Sequence, residues 1–231
     1  MREIVLDTET TGFDPETGDR LVEIGAVELI RHVPTGEQYH QYINPERSVP
    51  EEAIQVHGLK DDFLRDKPVF KQVAQDFLDF IGDSKLVIHN AAFDMKFLNA
   101  ELRWLDMPQI EYARAIDTLE IARKKFPGSP ASLDALCRRY NIDNSARTLH
   151  GALLDSEILA EVYLELIGGR QPDLVLASSN EQKAGASNDG DVWRPSARPK
   201  KLPSRVSPEE SEAHTEFVTK LGENPLWTRL S

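Results

Sequence analysis

Apolar residues recur along this chain with two periods, and the period changes part-way. Ile4-Val5-Leu6 runs on through Asp7-Thr8-Glu9-Thr10, which predicts a first strand, and Leu21 to Leu29 predicts a second. A turn at Pro34-Thr35-Gly36 leads to a third, His40 to Ile43. Short connections between these runs predict an antiparallel meander. After Pro45 helical spacing takes over. Glu52 to Gly58 reads as a loop, and Val69 to Ile81 as a helix with Val73, Phe77, Phe80 and Ile81 on its apolar side. Leu86-Val87-Ile88 predicts a short strand, Ala91 to Leu105 a helix, Ala113 to Asp117 a strand and Thr118 to Lys125 a helix. Ser132 to Tyr140 and Ala152 to Ile167 are both amphipathic. Three strands followed by alternating strands and helices predict an α/β fold, a mixed sheet flanked by helices.

Gly168-Gly169 stops the last of these helices, which sets a first domain at 1–169. Residues 170–206 are rich in Ser, Asn, Gly, Pro and Lys and keep no apolar period, so a flexible linker is expected there. Its basic cluster (Arg194, Arg198, Lys200, Lys201, Arg205) reads as a solvated tract. Order is expected to return at Ser207-Pro208-Glu209-Glu210, with an N-cap serine, a proline in the first turn and two acids near the positive end of the dipole. Ala213, Phe217 and Leu221 then share a face, and Gly222 can end the short helix. Phe217, Leu221, Leu226 and Trp227 make 207–231 too apolar for a free tail, so a partner groove with Trp227 as anchor is expected.

Composition agrees with a partly packed chain: of 231 residues, 40% are hydrophobic and 29% charged. The single cysteine, Cys137, excludes an internal disulfide and a thiolate zinc cluster. Met1 leads straight into the first strand and no apolar run is long enough to cross a bilayer, so a cytoplasmic protein is expected. A net charge of −12 argues against holding nucleic acid by a surface field. It leaves room for an enzyme that touches a few nucleotides through metal ions and relies on partners.

Four acids stand where apolar residues belong. Asp7 and Glu9 are two apart on a strand and continue the face of Val5, where two carboxylates repel each other and lose hydration unless a cation balances them. Asp155 heads the stripe of Ile158, Leu159, Val162 and Leu166; Asp94 heads that of Phe97, Leu98, Leu102 and Leu105. An oxygen-only set of this kind suits Mg²⁺ or Mn²⁺. His150 lies five residues before Asp155, so a shared helix would turn the two about 140° apart. It is therefore expected ahead of the helix, with Gly151 freeing the backbone, as a candidate base near neutral pH.

Asp7-Thr8-Glu9-Thr10-Thr11-Gly12, His89-Asn90-Ala91-Ala92-Phe93-Asp94 and His150-Gly151-Ala152-Leu153-Leu154-Asp155 together resemble the three motifs of the DEDDh exonucleases. Ser132-Leu133-Asp134-Ala135-Leu136-Cys137, Ile142-Asp143-Asn144-Ser145 and the two-part tail are similar to the epsilon-type proofreading subunits of bacterial DNA polymerase III. The resemblance implies a ribonuclease-H-like fold and a 3′→5′ exonuclease that removes mispaired nucleotides from DNA 3′ ends with two divalent cations, Mg²⁺ or Mn²⁺. It implies that Asp7, Glu9 and Asp155 hold one cation, that Asp7 bridges to a second reached by Asp94 through water, and that His150 is the general base. Glu52 and His57 resemble contacts to the terminal nucleotide, alongside Asp7, Glu9 and Asp155. The implied partners are the polymerase catalytic (alpha) subunit, the sliding clamp and a small theta-like subunit. Phe217, Leu221 and Trp227 then become polymerase contacts. Gln171-Pro172-Asp173-Leu174-Val175-Leu176 resembles a clamp-binding peptide, with Gln171, Leu174 and Leu176 as its contacts. Two other readings stay open: a free-standing exonuclease of RNA or single-stranded DNA ends, and a scaffold joining polymerase to clamp.

Overall fold

The structure is a computed structural model that describes residues 1–169 and 207–220. The chain divides into two units, Met1–Ala177 and Ser178–Ser231. In the first, five strands form one sheet: β1 (Arg2–Thr10), β2 (Leu21–Ile30), β3 (Val33–Tyr42), β4 (Lys85–Ile88) and β5 (Ala115–Asp117). Their order is β3-β2-β1-β4-β5. β1 pairs antiparallel with β2, and β2 with β3; β4 lies parallel to both β1 and β5. This is the expected meander extended by parallel strands, so β1 is central and its two faces are both covered.

Helices α1 (Glu51–His57), α2 (Asp61–Leu64), α3 (Phe70–Ile81) and α4 (Ala91–Trp104) precede β5; α5 (Thr118–Lys125), α6 (Leu133–Tyr140) and α7 (Ala152–Leu166) follow it. Ile4, Leu6 and Ile24 turn to one face of the sheet and bury Phe77 of α3 with Phe97 and Leu98 of α4. Val5, Val27 and Val87 turn to the other face and pack on Leu159 and Tyr163 of α7. Period-2 alternation along β1 thus splits its side chains between two helical layers.

Several expected bounds need correction. The hairpin turn lies at Arg31-His32, both at positive φ (52° and 65°), not at Pro34-Thr35-Gly36. The latter residues form an irregularity inside β3, where the pairing with β2 slips between Leu29↔Pro34 and Val27↔Gln38. The turn lacks the usual Asn-Gly chemistry; His32 Nδ1 lies 2.7 Å from the buried Glu3 carboxylate, and its ring meets Tyr163 edge-on. β3 therefore begins at Val33, seven residues before the expected start. Most of Glu52 to Gly58, read as a loop, belongs to the helix Glu51–His57, stopped by Gly58 at φ 76°. β5 begins at Ala115 because Tyr112–Arg114 forms a 3₁₀ turn.

In the second unit the described part is α8 (Pro208–Lys220). Its expected start is present as a reciprocal capping box: Ser207 Oγ accepts from Glu210 N, and the Glu210 carboxylate accepts from Ser207 N. Phe217 on this helix is exposed. Gln171, Leu174, Leu176, Leu221, Leu226 and Trp227, with the expected linker 170–206, lie outside the described residues.

Candidate active site

Pairing along β1 sets Asp7 opposite Gly25 and Glu9 opposite Glu23. Gly25 decides how close α7 can come. A Cβ there would lie 2.1 Å from the backbone nitrogen of Leu153, so only glycine admits the first turn of α7 onto β2. Ser156 Oγ donates to the Gly25 carbonyl at 2.9 Å and fixes that approach. The same turn carries Asp155, 3% exposed, onto the face of Asp7 and Glu9. Asp94 arrives from the other layer, on the first turn of α4. Thr8, which alternates away from Asp7 and Glu9, donates its hydroxyl to Asp94 at 2.7 Å. His150 precedes α7 in a loop, and its backbone N–H donates to the Val56 carbonyl of α1 at 3.1 Å.

One donor atom each from Glu9, His150 and Asp155 lies within 4.8 Å of the others. Asp7, Glu9, Asp94 and His150 line a cavity of about 790 Å³ together with Glu52 and His57. Asp7, His150 and Asp155 also line a second cavity of about 740 Å³. The expected acids and His150 are thus gathered around the end of β1, with Asp155 reached from the second cavity and Asp94 from the first.

Crowding of like charge dominates the electrostatics. Burial, then the charges of Asp94, Glu9 and Asp155, push Asp7 well above the usual carboxylate range. Glu9 is pushed up to about 8, by burial first and Asp155 next. Asp94 is pushed up to about 7 by burial, against the opposing hydrogen bond from Thr8. Burial and the neighbouring Arg147 hold His150 below its ordinary value, so its ring is neutral near pH 7. Carboxylates forced together in this way, with an imidazole beside them, form a hard oxygen-rich donor set that fits divalent cations.

Glu52 is exposed on α1 and His57 is buried. His57 Nδ1 accepts from Leu59 N at 3.0 Å, which puts the proton of the neutral ring on Nε2. That Nε2 is buried and has no hydrogen-bond partner among the described residues.

Sequence reasoning passed over four residues. Gly25 sits in an apolar run, where an isolated glycine signals a close backbone approach. Thr8 lies between two motif acids and serves the third. Phe13, 87% exposed, lines the first cavity at its Thr11-Gly12 edge. Arg147 donates twice to Asp155, Nε to Oδ1 at 2.5 Å and Nη2 to Oδ2 at 2.7 Å, and no periodicity in Asn141–His150 marks it.

Comparison with known proteins points the same way. The model of the exonuclease (RNase_T) family matches residues 4–163. The DNA polymerase III subunit epsilon of Rickettsia conorii is 50% identical over 226 residues, covering 96% of each chain. That of Escherichia coli K12 is 45% identical over 237 residues, covering 98% of this chain and 97% of the other. Among solved structures, exonuclease X in complex with 5′-overhanging duplex DNA is 26% identical with a TM-score of 0.58, covering 71% of this chain and 90% of that one. The nuclease domain of 3′hExo, a DEDDh family member bound to rAMP, shares the fold at 21% identity and a TM-score of 0.62, covering 72% and 91%.

Proposed function

The chain belongs to the exonuclease family and, within it, to the DNA polymerase III epsilon subunits, and from that premise we propose that it proofreads DNA synthesis, hydrolysing the 3′-terminal phosphodiester and releasing nucleoside 5′-monophosphates. The observation that carries this reading is the convergence of Glu9, Asp155 and His150 within 4.8 Å, beside Asp7, at the junction of two cavities.

Asp7, Glu9 and Asp155 would hold one divalent cation, and Asp7 with Asp94 a second. When bound, such a pair activates the attacking water and neutralises charge on the leaving oxygen. Mg²⁺ and Mn²⁺ both suit the donors. His150 takes the proton from the attacking water; its depressed basicity keeps the ring ready to accept at neutral pH. Gly25 and Ser156 hold Asp155 in reach, and Thr8 orients Asp94.

The first cavity suits the terminal nucleoside. His57 and Glu52 line the same wall. Both would contact the terminal nucleotide. Phe13 presents an exposed ring on which a base can stack. Mismatch selectivity follows from fraying, since an unpaired end costs less to draw into the site.

The tail supplies the attachment that a chain of net charge −12 lacks. Phe217, Leu221 and Trp227 would dock on the polymerase catalytic subunit, and Gln171, Leu174 and Leu176 on the sliding clamp. A theta-like subunit is a further expected partner. Each short contact is weak alone, and linkage on DNA raises the effective concentration. The test is excision by the purified chain with Mg²⁺ on matched and mismatched primer ends, with products separated by size. Mononucleotides carrying 5′-phosphate, released faster from the mismatch, are expected. Internal cleavage, or indifference to a 3′-terminal block, would sink the reading.

A further inference from the structure

Arg147 is the one buried cation in contact with the acids of the site among the described residues. Its side chain is 8% exposed. Its fork fills both oxygens of Asp155, at 2.5 Å and 2.7 Å. Nη1 reaches Asp134 Oδ1 at 3.1 Å, and Nη2 stands 2.9 Å from His150 Nδ1. Nη2 thus flanks both Asp155 and His150, whose Oδ2 and Nδ1 stand 3.5 Å apart, where the donor atoms of Glu9, His150 and Asp155 converge within 4.8 Å.

A bidentate guanidinium and a divalent cation compete for such a position. A doubly charged ion held by Glu9 and Asp155 would stand within a few ångströms of Nη2, and like charges at that range in a poorly solvated site repel strongly. Arg147 has a second station ready. Asp134 is half-exposed, already accepts from Nη1, and is itself held by Asn144 Nδ2 at 2.9 Å. Arg147, Asp134 and Asp155 all line the second cavity.

We propose that Arg147 is a displaceable counter-ion of Asp155: it neutralises that carboxylate until a divalent cation takes it, then swings to Asp134 and leaves His150 free to face the attacking water. Arg147 is thus a positioning residue for Asp155 and His150. The proposal rests on the reading of Glu9 and Asp155 as cation ligands.

A fixed brace would act with the opposite sign. If Arg147 only held Asp155 in place, its loss would loosen the carboxylate and weaken cation binding. If it competes, its loss strengthens binding. The experiment is calorimetric titration of the full chain with Mn²⁺ for the parent, Arg147→Gln and Asp134→Asn, with thermal melts in chelator and in Mn²⁺. Arg147→Gln is expected to bind Mn²⁺ on the order of tenfold more tightly, and to gain more thermal stability from Mn²⁺ than the parent. Asp134→Asn removes the second station and keeps the shape, so Mn²⁺ binding should weaken about threefold, since Arg147 is left with Asp155 alone. Unchanged or weaker binding by Arg147→Gln would overturn the proposal. Should that variant fail to fold, Asp134→Asn decides alone, and unchanged or tighter binding there overturns it. A parent that bound no Mn²⁺ would bring down the cation-site reading itself, and the proposal with it.

Discussion

The end of β1 and the helix α8 break the ordinary partition of polar and apolar groups in opposite senses. In the first region charge is buried: Asp94 and Asp155 are each 3% exposed, against apolar stripes. In the second an apolar ring is exposed: Phe217 stands 61% open on a helix whose other described residues are almost all exposed. Both arrangements are costly for the isolated chain. Buried like charges call for a small, dense, positive ligand, whereas an exposed ring on a short helix calls for a large apolar one. On the proposed reading, the same chain carries one surface for cations and DNA ends and another for a protein partner.

The sharpest way to break this comparison is to remove a buried acid. Asp7→Ala or Asp155→Ala should abolish exonuclease activity, by at least about 10³-fold under saturating Mg²⁺. Stability without added metal should hold level or rise for Asp7→Ala, because its carboxylate is repelled by three others. A variant that kept near-parental turnover would remove that acid from the site. His150→Ala comes next, with a loss of roughly 10²–10⁴-fold and cation binding retained. In the parent the rate should fall as pH drops through a value below the ordinary histidine range, since burial disfavours the charged ring. That limb should vanish in the variant; a pH profile identical to the parent's would strip His150 of the role.

The fate of the acids and of Arg147 in sequence reasoning has a physical cause. Asp94 and Asp155 announce themselves because each heads a helical stripe, and periodicity says where an acid ought not to be. Asp7 and Glu9 do so through the period of a strand. Arg147 lies in Asn141–His150, a polar stretch with no period, and only the path of that loop brings it to Asp155. Gly25 had a legible signal, a glycine inside an apolar strand, but its partner Leu153 is 128 residues away. The helix α1 was hidden because its N-cap is Pro50, without a capping side chain, and because Val56 on it is left exposed. The turn at Arg31-His32 was hidden because it has none of the usual Asn-Gly chemistry and its contacts are with distant Glu3 and Tyr163, while turn-like Pro34-Thr35-Gly36 serves an irregularity in β3. Local chemistry was readable wherever the local residues decide the conformation, and unreadable wherever a distant residue decides it.

A smaller effect concerns pH and the stability of the chelated protein. Burial raises Glu9 to about 8 and Asp94 to about 7, so the folded state binds more protons than the unfolded one above the ordinary carboxylate range. Stability from this source is fully present at low pH and is lost as pH rises through those values. Between pH 5 and pH 8 in chelator, the parent should therefore lose melting temperature relative to Glu9→Gln, by a few degrees for a chain of this size. Saturating Mg²⁺ should erase the difference in slope, since a bound cation takes over the proton's role. A parent that gained on Glu9→Gln with rising pH would show that the site tolerates its charges unaided.

The least effect on chemistry should come from the second region, and that is what separates it from the first. Phe217→Asp changes an exposed side chain on a helix that holds its own capping box, so the helix loses little and the change in stability should stay within about 0.5 kcal/mol. Phe217 is not among the residues read as the site, so hydrolysis of free single strands should proceed at the parental rate. Polymerase binding should fall at least about tenfold, because a charge placed in an apolar groove must be desolvated without a partner. The two readouts divide the possibilities cleanly. A loss of nuclease activity on free strands would mean that α8 serves the site itself. Full polymerase binding by the variant would mean that the exposed ring is an ordinary surface residue, and that attachment lies elsewhere in the tail.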